Sequence, residues 1–220
     1  LPLVKDYRLD ELAADVAGVI DKLGNGKACL IGHDWGGVVA QHVAMRYPKI
    51  VRKLILINTV HLHDFRRHLI FNPLQMRRSW HIFFFQIPNL PEILLTKNAC
   101  SALLSTAFKN RNDHNRAFTS KDIDFLRQSL IKPGTVEAGI NYYRAALRYN
   151  LLSFKRPPNI QADTLLLWGE RDQTLGREVT VGMDRYFSGL FRIQFFSDAG
   201  HWLHEEKPAL VNKHILNFLD

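Results

Sequence analysis

Four runs along the chain are apolar at nearly every position: Ala28–Gly32, Leu54–Asn58, Thr164–Gly169 and Arg192–Ser197. Each is short, rich in Ile, Leu, Val or Phe, and most close on Gly or Asn. A strand covered on both faces has no polar side to alternate with, so such runs predict a parallel sheet between helical layers. The stretches between them change period. Leu9–Leu23 places Leu12, Val16, Val19, Ile20 and Leu23 on one helical stripe and stops at Gly24, with Asp10 as the expected N-cap. Val38–Tyr47 predicts a second helix, halted by Pro48, and Pro208–Leu219 a third, entered through a proline suited to a first turn. Alternation of strand and helix implies a doubly wound α/β domain.

The alternation breaks between about residues 61 and 160. Here the sequence is aromatic and helix-like, with Thr96–Lys109, Ser120–Leu130 and Thr135–Tyr149 as candidate helices, bracketed by Pro88/Pro91 and Pro157-Pro158. This predicts an α-helical lid at 63–158, inserted into a core built from 1–62 and 159–220. Four parallel strands make a small sheet for this architecture, so further strands are expected upstream of Leu1.

Composition adds limits. A chain of 220 residues that is 46% hydrophobic can bury one sizeable core. Cys29 and Cys100 offer no disulfide framework, and Cys29 lies in an apolar run as a core thiol would. The net charge of +8 comes from one segment: residues 61–158 hold 15 Lys and Arg against 6 Asp and Glu. These cations are scattered or paired, as in Arg66-Arg67 and Arg77-Arg78, and match no nucleic-acid-binding motif. A solvated basic face accounts for them; a bias towards membrane surfaces or anionic substrates remains open.

The chemistry concentrates in three turns. Gly32-His33-Asp34-Trp35-Gly36-Gly37 follows a strand and precedes a helix. It has the small-x-nucleophile-x-small form of a nucleophile elbow, with aspartate where many such turns hold serine. The turn thrusts its central side chain above the sheet. Residues two before and two after must be small for strand and helix to approach. The helix that follows aims free N–H groups at Asp34, which favours negative charge there. Two more strand ends supply partners: Gly169-Glu170-Arg171-Asp172 ends in an acid and Ala199-Gly200-His201-Trp202 in a histidine. The order nucleophile, acid, histidine, each after a strand's C-terminal end, is that of an α/β-hydrolase triad. Glu170 and His204 are rivals for two of the roles. A metal site from His201 and His204 with His61 and His63 lacks a recognisable ligand geometry.

Gly32–Gly37, Asp172 and Ala199–Trp202, with Phe84-Phe85-Gln86-Ile87-Pro88 and Ile140-Asn141-Tyr142-Tyr143-Arg144 in the insert, resemble the epoxide hydrolase branch of the α/β-hydrolase superfamily, in particular the animal epoxide hydrolase 3 and 4 group. The resemblance implies hydrolysis of a small hydrophobic epoxide to a vicinal diol, with water as co-substrate and neither cofactor nor metal. Asp34 would form a covalent ester while Tyr143 protonates the ring oxygen, and His201, oriented by Asp172, would activate water against that ester. The backbone N–H of Trp35 would hold the oxyanion. His33, His81, Trp80 and Tyr142 are further candidates for oxyanion or substrate contacts. Tyr142 points about 100° from Tyr143 around a helix, so one of the two is expected to face the pocket.

The sequence departs from the family twice. His81 stands where relatives carry a second lid tyrosine, and the family's His-Gly-x-Pro segment, which supplies a second oxyanion donor, is not found here. The stretch alone is therefore expected to turn over poorly. Two other functions stay in view: a haloalkane or haloacid dehalogenase, with Trp35 and Trp80 as halide donors, and a non-catalytic relative. Full-length relatives often carry an N-terminal membrane anchor, so the resemblance implies an intracellular protein able to join a membrane through a segment upstream of Leu1.

Overall fold

The computed structural model describes residues 3–108, 117–151 and 156–220. Four parallel strands lie side by side in chain order: β1 (Ala28–His33), β2 (Val51–Ile57), β3 (Asp163–Gly169) and β4 (Phe191–Phe196). The two central strands are apolar on both faces, and the pleat sorts their side chains by parity. Leu54, Leu56, Leu166 and Trp168 join one core with Val38, Val43 and Ala44 of α2 (Trp35–Arg46), which also packs on α1 (Leu9–Leu23). Ile55, Ile57, Leu165 and Leu167 face the other way, onto Leu203, Val211 and Phe218. Leu54, Ile55 and Leu56 are wholly buried. Cutting any one to alanine would cost about 2–5 kcal/mol.

Between β2 and β3 the described residues hold no sheet strand. Helices α3 (Leu62–Phe71), α4 (Pro73–Arg78), α5 (Trp80–Phe84), α6 (Leu90–Ala107), α7 (Ser120–Leu130) and α8 (Thr135–Ala145) follow in turn. Cys100, Leu104, Val136 and Ile140 give α6 and α8 a small core of their own. After β4 come a short α9 (Leu203–Glu206) and α10 (Pro208–Leu219).

Several boundaries differ from the sequence pattern, each for a local reason. β2 starts three residues before Leu54 because Arg52 and Lys53 break the apolar run. The Lys53 ammonium in fact donates to the carbonyls of Phe218 and Leu219 at 2.6 and 2.9 Å, capping the negative end of α10. α1 has Arg8, not Asp10, at its N-cap, and the Asp10 carboxylate instead meets His42 at 2.9 Å. α2 begins at Trp35, so both glycines that read as turn are helical.

The predicted helix from Thr96 straddles a break. Asn98, Ala99 and Cys100 take left-handed φ of 49°, 51° and 60°, which splits α6; its predicted end at Lys109 lies outside the described residues. α8 stops at Ala145 and passes into a π-helical turn, Ala146–Leu151. α3, α4 and α5 were not anticipated: two are very short, and α4 is set by Asn72, whose side-chain oxygen accepts from the N–H groups of Leu74 and Gln75.

Candidate active site

Asp34 joins β1 to α2 with φ 49° and ψ −120°, a strained backbone that raises its carboxylate above the sheet. What forces the glycines around it is specific. A Cβ on Gly32 would lie 2.5 Å from the Gly36 carbonyl oxygen, and one on Gly37 would lie 2.5 Å from Thr59 Cγ2. Gly36 has open space, so the expected need for a small residue two after Asp34 is met by Gly37 instead. Thr59, at the end of β2, locks the turn by donating its hydroxyl to the Asp34 carbonyl at 2.7 Å.

The two partners arrive from the ends of β3 and β4. His201 Nδ1–H donates to Asp172 Oδ2 at 2.7 Å, and His201 Nε2 lies 3.3 Å from Asp34 Oδ2. Asp172 is fully buried, with every lone pair employed. Oδ1 accepts from the N–H groups of Thr174 and Leu175 at 2.8 and 2.9 Å, and Oδ2 also from Asn58 at 2.9 Å. Glu170 is turned outward onto Arg177, and His204 stacks near His33 and Trp202, so neither rival takes a place in the triad.

Electrostatics follow from this packing. Burial opposes charge on His201, but the Asp172 carboxylate, its hydrogen bond and then Asp34 outweigh it, raising the imidazole to about 10. Burial likewise opposes charge on Asp34, yet the His201 hydrogen bond and charge, with the Trp35 backbone N–H, hold its carboxyl below the usual range. At neutral pH the three form an anion–imidazolium–anion row.

The carboxylate opens into an apolar cavity of about 50 Å³, lined by Val60, Phe65, Ile82 and Leu175 among others. Tyr143 and His81 enter it from the insert, ring edge to face at 5.4 Å. Burial and then the Asp34 charge push the Tyr143 phenol above its ordinary range, so it stays a neutral O–H donor. Burial lowers the His81 pKa, which favours the neutral imidazole, a group with one N–H and one lone pair.

Trp35 lines the cavity and stands edge-on to Tyr143 at 5.1 Å. The remaining candidates lie elsewhere. Tyr142 turns to Tyr7 at 5.3 Å, consistent with the helical offset from Tyr143. Trp80 is 60% exposed and does not line the cavity, which removes one of the two tryptophans a halide site would need. His33 sits behind the triad. Burial and His201 hold its pKa down to about 4, and its neutral ring donates Nε2–H to the His201 carbonyl at 2.9 Å. It positions the histidine turn and makes no cavity contact.

Three supports gave little sequence signal. Asn58, wholly buried at φ 37°, donates to Asp172 and to the Gly169 carbonyl and accepts from the Gly169 N–H, tying the end of β2 to the end of β3 and its acid turn. Its hint was its place at the close of an apolar run. Gln75, also wholly buried, bridges α4 to the acid turn through Ser79, Thr174 and Gly176. Trp202 donates to the Ala107 carbonyl at 2.8 Å and so fastens the insert to the histidine turn. Among the described residues, no group of three or more His, Cys, Asp or Glu is arranged to hold a metal ion.

Residues 2–208 match the family described as alpha/beta hydrolase fold. The chain belongs to that family. This α/β hydrolase is 35% identical to human (Homo sapiens) epoxide hydrolase 4 over 98% of its own length, and spans 59% of that relative. It is 34% identical to the AB hydrolase superfamily protein YfhM of Bacillus subtilis (strain 168), covering 98% of this chain and 74% of the relative. Among solved structures, it superposes on a Bacillus megaterium epoxide hydrolase in complex with an inhibitor with a TM-score of 0.88 at 26% identity, covering 100% of this chain and 78% of that one. The α/β-hydrolase core and the epoxide hydrolase resemblance both agree with the sequence reading.

Proposed function

We propose that this α/β hydrolase opens hydrophobic epoxides to vicinal diols through an ester on Asp34. The observation that carries the reading is the row Asp34–His201–Asp172 beneath an apolar cavity that a phenol enters from the opposite side. Ionised Asp34 attacks an epoxide carbon, the carbon–oxygen bond breaks, and Tyr143 gives its proton to the leaving oxygen. That leaves an ester and a phenolate. Ester formation also erases the Asp34 charge that helped hold the His201 proton, so the imidazolium becomes more acidic and can return a proton to Tyr143.

Neutral His201 then takes a proton from water as that water attacks the Asp34 carbonyl carbon. The Trp35 N–H faces the oxyanion, the ester C–O bond breaks, and diol departs. Hydrolysis of the ester regenerates Asp34 as a carboxylate and one proton, which ends on His201. The cycle closes with the starting charges.

His81 is assigned a supporting part: a neutral imidazole beside Tyr143, it can hydrogen-bond the ring oxygen or a water. The dehalogenase reading loses support because Trp80 lies outside the cavity. Styrene oxide tests the proposal. Tyr143→Phe should lower diol formation by about 10²–10⁴-fold, the range for a lost general acid. Full retention of diol formation in that variant would contradict the assignment, and chloride release from chloroalkanes would favour the dehalogenase.

A further inference from the structure

The first four helices of the insert share a feature that the reaction does not use. Each buries one side and turns apolar side chains outward. α3 buries Phe65 and Leu69 and exposes Ile70 and Phe71; α4 buries Gln75 and exposes Leu74 and Met76. α5 buries Ile82 and exposes Trp80 and Phe83, and the start of α6 exposes Leu90, Ile93 and Leu94. Phe71 is 77% exposed and Leu74 64%, unusual values for large apolar residues and here repeated on consecutive helices. α3 packs on α4 and α4 on α5, so the elements are neighbours in space as well as in sequence.

Charge decides what could cover this face. Arg67 and Arg77 stand exposed among the apolar residues. The carboxylates recorded against these helices, Asp64, Glu92 and Glu178, are each held by an arginine: Arg185, Arg144 and Arg78. Among the described residues, the face therefore combines apolar and aromatic side chains with cations that have no carboxylate partner and with no free acid. A second copy laid against it would bring like charges together, whereas an anionic lipid surface would accept both the aromatic residues and the arginines. Arginine stems can lie along apolar surface while their heads reach phosphate.

We propose that helices α3 to α5 form an interfacial surface that docks on anionic lipid bilayers, with Phe71, Leu74, Trp80 and Phe83 entering the headgroup region. Ser79, between α4 and α5, and His81 and Ile82 of α5 line the cavity. Docking thus brings the cavity roof to the lipid boundary. The surface is read from the insert alone, and its failure would leave the chemistry of the triad untouched.

The test is co-sedimentation of the whole chain with phosphatidylcholine vesicles, with and without one third phosphatidylserine, alongside analytical ultracentrifugation without lipid. A monomer that binds the mixed vesicles more tightly than neutral ones is expected. Phe71→Ser with Leu74→Ser should abolish binding with the melting temperature kept. Arg67→Gln and Arg77→Gln should each weaken binding to the mixed vesicles by about fivefold, leaving the weaker binding to neutral vesicles unchanged. Because both arginines are exposed, these variants keep the test decisive should the serine variant fold poorly. Absence of binding to either vesicle, or arginine variants that bind as wild type, would overturn the proposal. So would a lipid-free dimer that Phe71→Ser with Leu74→Ser splits into monomers, which would assign the face to a second copy.

Discussion

The two sides of the cavity are held in opposite ways. On the sheet side, Asp34, Asp172 and His201 hang from the ends of β1, β3 and β4. Backbone N–H groups, Thr59, His33 and Asn58 fix them. On the insert side, Tyr143 is carried by α8, which passes into a π turn just after it, and His81 by α5, a helix of only 5 residues. Their placement depends on ring edges and on two side chains: Arg144, which donates to the carbonyls of Phe85 and Ile87, each at 2.9 Å, and pairs with Glu92, and Gln86, which donates to the carbonyls of Ile82 and Tyr143. Charge chemistry is sensitive to small displacements, so the triad sits on the rigid layer. Selection of substrate tolerates, and uses, a layer that can be remodelled.

That contrast can be broken from either side. The largest effect is expected at Asn58. Asn58→Ala removes three hydrogen bonds and puts alanine at φ 37°, which should cost about 3 kcal/mol. Freed from that donor, Asp172 should also hold His201 less well, and turnover should fall roughly 10²-fold. Urea unfolding and steady-state kinetics read the two separately, and a stable variant of full activity would remove Asn58 from the positioning network. A smaller, differently distributed effect is expected at Arg144. Arg144→Met frees two carbonyls of the insert, so kcat/KM for epoxide should fall about tenfold while a preformed ester decays at the wild-type rate. Equal slowing of both steps would mean that the two sides are not separable.

The smallest effect is on stability with pH. His201 is raised from 6.5 to about 10 in the folded chain, so its contribution is complete below 6.5 and lost as pH rises through about 10. Asp34 is held below 3.8, so its contribution is present above that value and fades as pH falls further. Denaturant midpoints should thus be flat between about 3.8 and 6.5, fall as pH rises from 6.5 to about 10, and fall again below 3.8. Asp34→Ala should lessen both declines.

The same division explains what could be read from the residues alone. The strand runs, the elbow and the two later turns were legible because a two-sided parallel strand and a sharp strand-to-helix bend leave few choices of residue. Lys53 disguised the start of β2 because a capping charge looks like a loop in sequence. The insert was legible as helical, and Tyr143 as facing the cavity. α3 to α5 were not, since short helices set by a cap and by tertiary contact carry little periodicity. Trp80 and His33 misled for a shared reason: type and proximity to a motif suggest chemistry, while orientation decides it. Asn58 and Gln75 escaped because a buried amide looks like any surface amide until its partners are known.

The central claim is that Asp34 becomes bonded to substrate and that water attacks its carbonyl. A single turnover with excess protein in ¹⁸O-labelled water, followed by digestion and mass spectrometry of the peptide containing residue 34, tests it directly. One ¹⁸O should enter the Asp34 side chain and the first equivalent of diol should be unlabelled. Labelled diol with an unlabelled Asp34 would contradict the account, because water would then have attacked the epoxide itself.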